Sequence, residues 1–421
     1  MNAILIGNKP VRLHARPNVS IERLSSNHSG SIFLMLLLMM AMVNFGKFFG
    51  FGKEYYWFAY AVIIYSAVIL LLFQRLDLAP KKLYLATFIL FSYLLISALK
   101  SKDGLAVSAY FITNLFFIPV IAFFFGKLAG EVAFLRHFRV VAIILLPLCI
   151  IGFFYKDAEA DYSGTLASGS VFGGVMSLIT LIAALDYVWR RRASSLIVAL
   201  MSFALLLMSA HRTGILALIL SFYVYITARL SKNMFRFAAI QFVMMLFGGL
   251  IFYAIYKYNP QLILDQFLGE EISVETVRTS GRATIWPELI ESYLSSWSGI
   301  IFGGGLGTAI NVIRQSHPDT LDSIAVPHNE WLRILLDMGI VGLCSFIFFY
   351  KIVLFSFRDI RFQYLGYAIG THLFCEMFFS NVIYWAGSYM FILMLYMGSL
   401  HGAGGAAYSQ GRQRGTYSGA R

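Results

Sequence analysis

Charge is scarce in this sequence. Asp, Glu, Lys and Arg make up 13% of its 421 residues, about half of the roughly 25% that soluble domains carry. A soluble globular class is therefore excluded. Cysteine is scarce too, and Cys149, Cys344 and Cys375 each fall inside an apolar run. That placement implies neither a disulfide framework nor a thiolate metal site. No small-residue cleavage site follows the first apolar run, which begins at Ile32. The basic residues ahead of it, Lys9, Arg12, Arg16 and Arg23, read as a retained cytoplasmic tail. The cluster Gly303-Gly304-Gly305-Leu306-Gly307 lacks the Lys-Ser/Thr of a P-loop, which argues against a nucleotide site. There is no internal repeat, and no metal-ligand cluster stands out in the long polar segment.

What the chain has in quantity is apolar and aromatic residues, 59% and 16% of the total, with a mean hydropathy of +0.73. Runs near 20 residues suit a hydrocarbon core roughly 30 Å thick. They fall at about 31–50, 55–73, 83–99, 106–125, 140–155, 165–187, 196–210, 213–228, 237–256, 335–356, 364–380 and 383–400. The predicted fold is an all-α polytopic membrane protein of about twelve transmembrane helices with one large periplasmic helical loop. Its parts are a tail at 1–30, helices one to nine over 31–256, the loop over 257–333, helices ten to twelve over 334–400, and a Gly-, Ser- and Arg-rich tail at 401–421.

The net charge of +12 is topological rather than a sign of nucleic-acid binding. Short connections on one side of these spans hold 14 Lys and Arg, and those on the other hold 5. By the positive-inside rule the richer side, with both termini, is cytoplasmic. The loop then faces outward.

That loop carries helix signals of its own. Asn259-Pro260 ahead of Leu262, Ile263 and Phe267 predicts a short helix with Pro at its first position. Trp286, Leu289, Ile290, Tyr293 and Leu294 follow a helical period behind Pro287. The glycine cluster predicts a turn or a close backbone approach. A third helix should start near Asn329 and run into the membrane. A structureless loop of this length would be unusual, so these helices are expected to pack on the outer surface.

Several residues could carry chemistry. Arg212, in Ser209-Ala210-His211-Arg212-Thr213-Gly214, reads either as a snorkelling or capping residue at a helix end or as an anion site, because its planar fork matches phosphate oxygens. Arg282, in Thr279-Ser280-Gly281-Arg282-Ala283-Thr284-Ile285-Trp286, shares the loop with Arg278 and Arg314, and composition does not rank the three. His328 is either a surface residue capping the next helix or a general base near neutral pH. Glu330 and Asp337 could orient it or substitute for it. His372 and Glu376 lie four apart on one helix face inside an apolar run. They are either a mutually satisfied pair or a functional one. Asn27-His28-Ser29 matches a glycosylation sequon but falls on the cytoplasmic side.

Taken in order, an outward Arg after a span (SAHRTG), then SGRATIW, then FGGGLG, then His-Asn, nine residues and Gly-Ile-Val-Gly, these segments resemble the bacterial O-antigen ligase and O-antigen and exopolysaccharide polymerase superfamily of integral membrane glycosyltransferases. The motif-bearing part covers roughly 205–345. The resemblance implies a GT-C-like fold in the bacterial inner membrane, acting at the periplasmic face without metal or other cofactor. The donor would be a glycan on undecaprenyl pyrophosphate, and the acceptor a glycan or lipid A–core. Membrane lipids and other members of a polysaccharide assembly pathway would be partners. Arg212 and Arg282 match the family arginines thought to hold the pyrophosphate, with Trp286 and Glu330 as further substrate-binding candidates. His328 matches the histidine proposed to activate or position the acceptor hydroxyl. The motifs favour a polymerase over a ligase. A rival from another class is a transporter, for which His372 and Glu376 would couple protons. The chain lacks the repeated broken segments of inverted-repeat transporters.

Overall fold

The computed structural model describes residues 5–6, 9–10, 81–101, 104–154, 169–209, 211–231, 282–316, 327–357, 359–380 and 386–402. The expected spans at 31–50, 55–73 and 237–256, the loop helix after Pro260 and the C-terminal tail from residue 403 lie outside those residues, as does all of the N-terminal tail but a two-residue ladder of Leu5–Ile6 with Lys9–Pro10. The remaining structure is helical. In chain order the helices are α1 (Lys81–Leu99), α2 (Gly104–Ile112), α3 (Ile118–Phe154), α4 (Gly169–Arg190), α5 (Ala193–Met208), α6 (Arg212–Ser231), α7 (Arg282–Leu294), α8 (Trp297–Phe302), α9 (Thr308–Ser316), α10 (Glu330–Phe355), α11 (Ile360–Phe379) and α12 (391–402). Single π-helical turns at Thr113–Phe117 and Ala386–Met390 lead into α3 and α12.

Five described segments are long and apolar enough to cross a membrane: Lys81–Leu99, Val107–Ile150, Val171–Arg190, Arg212–Ser231 and Glu330–Phe355. Burial sorts the helices. Every residue from Phe172 to Ala183 of α4 and from Phe391 to Leu400 of α12 is buried, as expected for helices that are apolar all round. By contrast, α1 and α6 leave Leu85, Phe88, Leu99, Ile219, Ile226 and Leu230 exposed. In water so many bare apolar side chains would be costly. In a bilayer they match their solvent.

The segment 126–139, expected as a connecting loop, is largely helical. Two helices meet there within α3, and the chain turns at Gly130, where φ is 72°. One glycine does the work of a loop.

The bundle has two chemically different ends. At one, Arg139 pairs with Asp186 at 2.7 Å, Arg190 with Glu131 at 2.8 Å, and Arg361 lies over the Trp189 ring. Arg361 also binds Asp359, the N-cap of α11, and holds its carboxyl below the usual range. At the other end, roughly 20–25 Å away along α4, His211 meets Glu376 and the loop helices α7, α8 and α9 dock.

Docking turns on a break inside α10. Gly339, with φ 66° and ψ −171°, interrupts the helix and frees carbonyls from their i→i−4 partners. The glycine-rich segment takes them. Gly304 N donates to Leu336 O at 2.8 Å, and Gly305 N to Asp337 O at 3.1 Å. Ser97 Oγ of α1 adds a bond to Asp337 O, and Lys100 Nζ reaches Gly303 O. The Asp337 carboxylate then accepts from Ala309 N in the first turn of α9. The close approach predicted for the glycine cluster is thus real, and its partner is the break in α10. A Cβ on Gly303 would sit 2.5 Å from the Asp337 backbone, and one on Gly339 2.5 Å from Gly303 N and Ile301. Gly339→Ala should therefore cost at least about 2 kcal/mol, from the backbone clash and the positive φ together. Thermal melting of purified protein should show this as a lowered midpoint; an unchanged midpoint would rule the contact out as a structural tie.

Candidate functional site

Local sequence explains why α10 starts where it does. Asn329 is extended (φ −154°), and its side chain accepts from Leu332 N at 3.0 Å, a standard N-cap. The residue before it, His328, has φ 49°. A non-glycine residue in the left-handed region costs about 1 kcal/mol or more and persists only where its surroundings hold it. They do so from both sides. Asn329 caps the helix on one side, and on the other the Trp286 indole donates to Pro327 O at 2.8 Å. Trp286 belongs to α7, whose first residue is Arg282, one helical turn earlier. The SGRATIW and His-Asn motifs, 41 residues apart at Trp286 and Pro327, are therefore hydrogen-bonded neighbours.

Inside the first turn of α10, Glu330 and Arg333 form an ion pair of 2.6 Å, at 0% and 1% exposure. The guanidinium also lies 5.0 Å from the Phe111 ring centroid. A buried charge is tolerated when so paired. Glu330, a sequence candidate for substrate contact, is thus fully buried against Arg333. Asp337 serves the N-terminus of α9.

The SAHRTG segment lies at the same end. It turns from α5 into α6, with Arg212 exposed at the first helical position and His211 partly buried beside it. His211 Nε2 is 3.4 Å from Glu376 Oε2, and Glu376 is 0% exposed.

These segments share one support, the last turn of α11. Trp331, three residues after His328, packs on Phe374 with ring centroids 5.3 Å apart. Glu376 holds His211. Phe378 meets Trp286 edge-on at 6.1 Å. The structure thus gathers Arg212, the α7 segment that begins at Arg282, and His328 around a single helix end.

His372 and Glu376 share a face of α11 as the spacing predicts, but each has its own partners. His372 bonds Ser177 Oγ and Tyr389 OH, both at 2.6 Å. Sequence reading missed His211, whose neighbour Arg212 drew the attention, and also Ser177, Tyr389 and Arg333. Only Arg333 left a usable signal, its position three residues after Glu330. Among the described residues no three His, Cys, Asp or Glu side chains group so as to hold a metal ion.

The O-antigen ligase family model matches residues 196–347, from α5 into the membrane part of α10. No curated protein matches the chain. The match contains Arg212, Arg282, Trp286 and His328, while the end of α11 that gathers their segments lies beyond it. The apolar helices make the chain a multi-pass membrane protein, and the region holding Arg212, Arg282 and His328, residues 196–347, is similar to the O-antigen ligase and polymerase superfamily.

Proposed function

We propose that this protein is a glycosyltransferase of the bacterial inner membrane that transfers a glycan from undecaprenyl pyrophosphate, polymerising O-antigen or exopolysaccharide repeat units at the periplasmic face. The observation that carries the reading is the gathering of the Arg212, Arg282 and His328 segments around the last turn of α11. They come from three separate parts of the chain, which a purely structural role for each would not require.

The chemistry assigned to them is an in-line displacement at the anomeric carbon with inversion. The acceptor hydroxyl oxygen forms the new glycosidic bond as the bond from that carbon to the pyrophosphate oxygen breaks. His328 takes or steers the hydroxyl proton. Arg212 and Arg282 stabilise the charge that collects on the departing pyrophosphate, as fixed cations do in low-dielectric sites. On this reading no metal is needed for that task. The Lys and Arg distribution supports the outward orientation, and a lipid donor reaches such a site sideways from the bilayer. His372 and Glu376, the pair a proton-coupled transporter would use, are engaged with separate partners inside the helices, which favours the enzyme.

A second reading is supported by the family description itself, that of an O-antigen ligase. The glycan would then pass to lipid A–core. Deleting the gene separates the two. A polymerase leaves single-repeat lipopolysaccharide or halts exopolysaccharide, whereas a ligase leaves long polymer on the lipid carrier and a bare core.

Arg212→Ala and Arg282→Ala are each expected to abolish transfer with the protein still present in the membrane. Wild-type-like product from both would sink the assignment. Trp286→Phe keeps the ring but removes the bond to Pro327 O, so the His328 turn should loosen by about 1 kcal/mol. Hydrogen exchange at the amides of Asn329 to Leu332 should quicken roughly fivefold, while exchange in α4 stays as it was.

A further inference from the structure

His372 and Glu376 are not used by the chemistry above, yet both are fully buried among the helices. Glu376 is 0% exposed, and its Oε1 has no hydrogen-bond partner among the described residues. Its Oε2 faces His211 Nε2. A desolvated carboxylate this poorly compensated draws strongly on the donating group it faces. From the other side His211 is pressed by α4, where a Cβ on Gly173 would fall 2.1 Å from His211 Cβ. His211 is therefore wedged between α4 and α11.

His372 fastens the same turn by another route. Ser177 Oγ has one proton and donates it to Gly214 O at 2.7 Å, since a carbonyl can only accept. Toward His372 the same oxygen must accept, so His372 Nε2 carries a proton. In the neutral ring Nδ1 then accepts from the Tyr389 hydroxyl. The chain of bonds runs from the π-turn before α12, through α11 and α4, to the first turn of α6. Arg212 lies between the two fastened residues, His211 and Gly214, and is itself exposed.

We infer that Glu376, acting through His211, together with His372, acting through Ser177 and Gly214, positions Arg212 for an anionic diphosphate; both are positioning residues, and neither touches the substrate. The inference rests on the assignment of Arg212 to the pyrophosphate. It adds a reason for two ionisable groups in the helix bundle that requires no transport.

The test uses detergent-purified full-length protein and equilibrium binding of farnesyl diphosphate, a soluble lipid diphosphate. Glu376→Gln should weaken binding by about 3- to 10-fold, the scale of one lost positioning contact, with an unchanged melting midpoint. In an Arg212→Ala background the same substitution should weaken binding no further, because residues acting through one another are not additive. A merely structural role predicts a lowered midpoint and an additive loss. Wild-type affinity in Glu376→Gln, or additivity with Arg212→Ala, overturns the inference and leaves the assignment of Arg212 standing. Wild-type affinity in Arg212→Ala overturns the assignment first, and the inference with it. Should Glu376→Gln fail to fold, His211→Ala removes the same contact from its partly exposed partner and carries the same expectations.

Discussion

The contact of the glycine-rich segment with the break in α10 is the constraint from which the rest of the site follows. An interrupted helix at the edge of a membrane leaves carbonyls bare where few donors are available, and each costs several kcal/mol if unmet. Here the amides of Gly304 and Gly305 and the Ser97 hydroxyl meet them. Their approach requires that neither Gly303 nor Gly339 carry a side chain. One backbone-to-backbone seam thus joins a polar insert to a membrane helix without a soluble core of ordinary size. The small cluster of Ile285, Leu289, Ala309, Ile313, Leu332 and Leu336 completes the join.

A second constraint is electrostatic. The helix α11 is not among the five described segments long and apolar enough to cross a membrane, yet His372 and Glu376 on it are fully buried. Polar groups in such a setting persist when neighbouring helices answer them. The answers come from α4, α6 and the π-turn before α12, so the cost of burying them is offset by tying four elements to one another. At the opposite end the Arg139–Asp186–Arg190–Glu131 network does the same for α3 and α4.

Much of the fold was legible because a span needs little beyond length and apolarity, both plain in runs such as Leu83–Leu99 and Val171–Leu185. The helix start near Asn329 and the helix through Trp286 and Leu289 followed from residue type and period. What stayed hidden depended on three dimensions. Gly339 sits in an apolar run that reads as the start of a continuous span, and nothing local marks it as a break. The helices α8 and α9 are too short, and too rich in Ser, Gly and Asn nearby, to show a period. His372 and Glu376 were placed correctly on one face, but the spacing left open whether they answer each other. Their partners lie on helices up to 195 residues away. Arg212 and His328 were readable as candidates, whereas the wedge around His211 was not, because it is made by Gly173, a residue with no side chain.

The last turn of α11 touches its neighbours through Phe374, Glu376 and Phe378 at once. A helix advances 1.5 Å and rotates by about 100° for each residue. A slip of α11 by a single residue would therefore carry all three side chains away from Trp331, His211 and Trp286 together. The segments bearing His328, Arg212 and Arg282 would lose their common support in one step. The relative placement of the three segments is for this reason set by the register of one helix end.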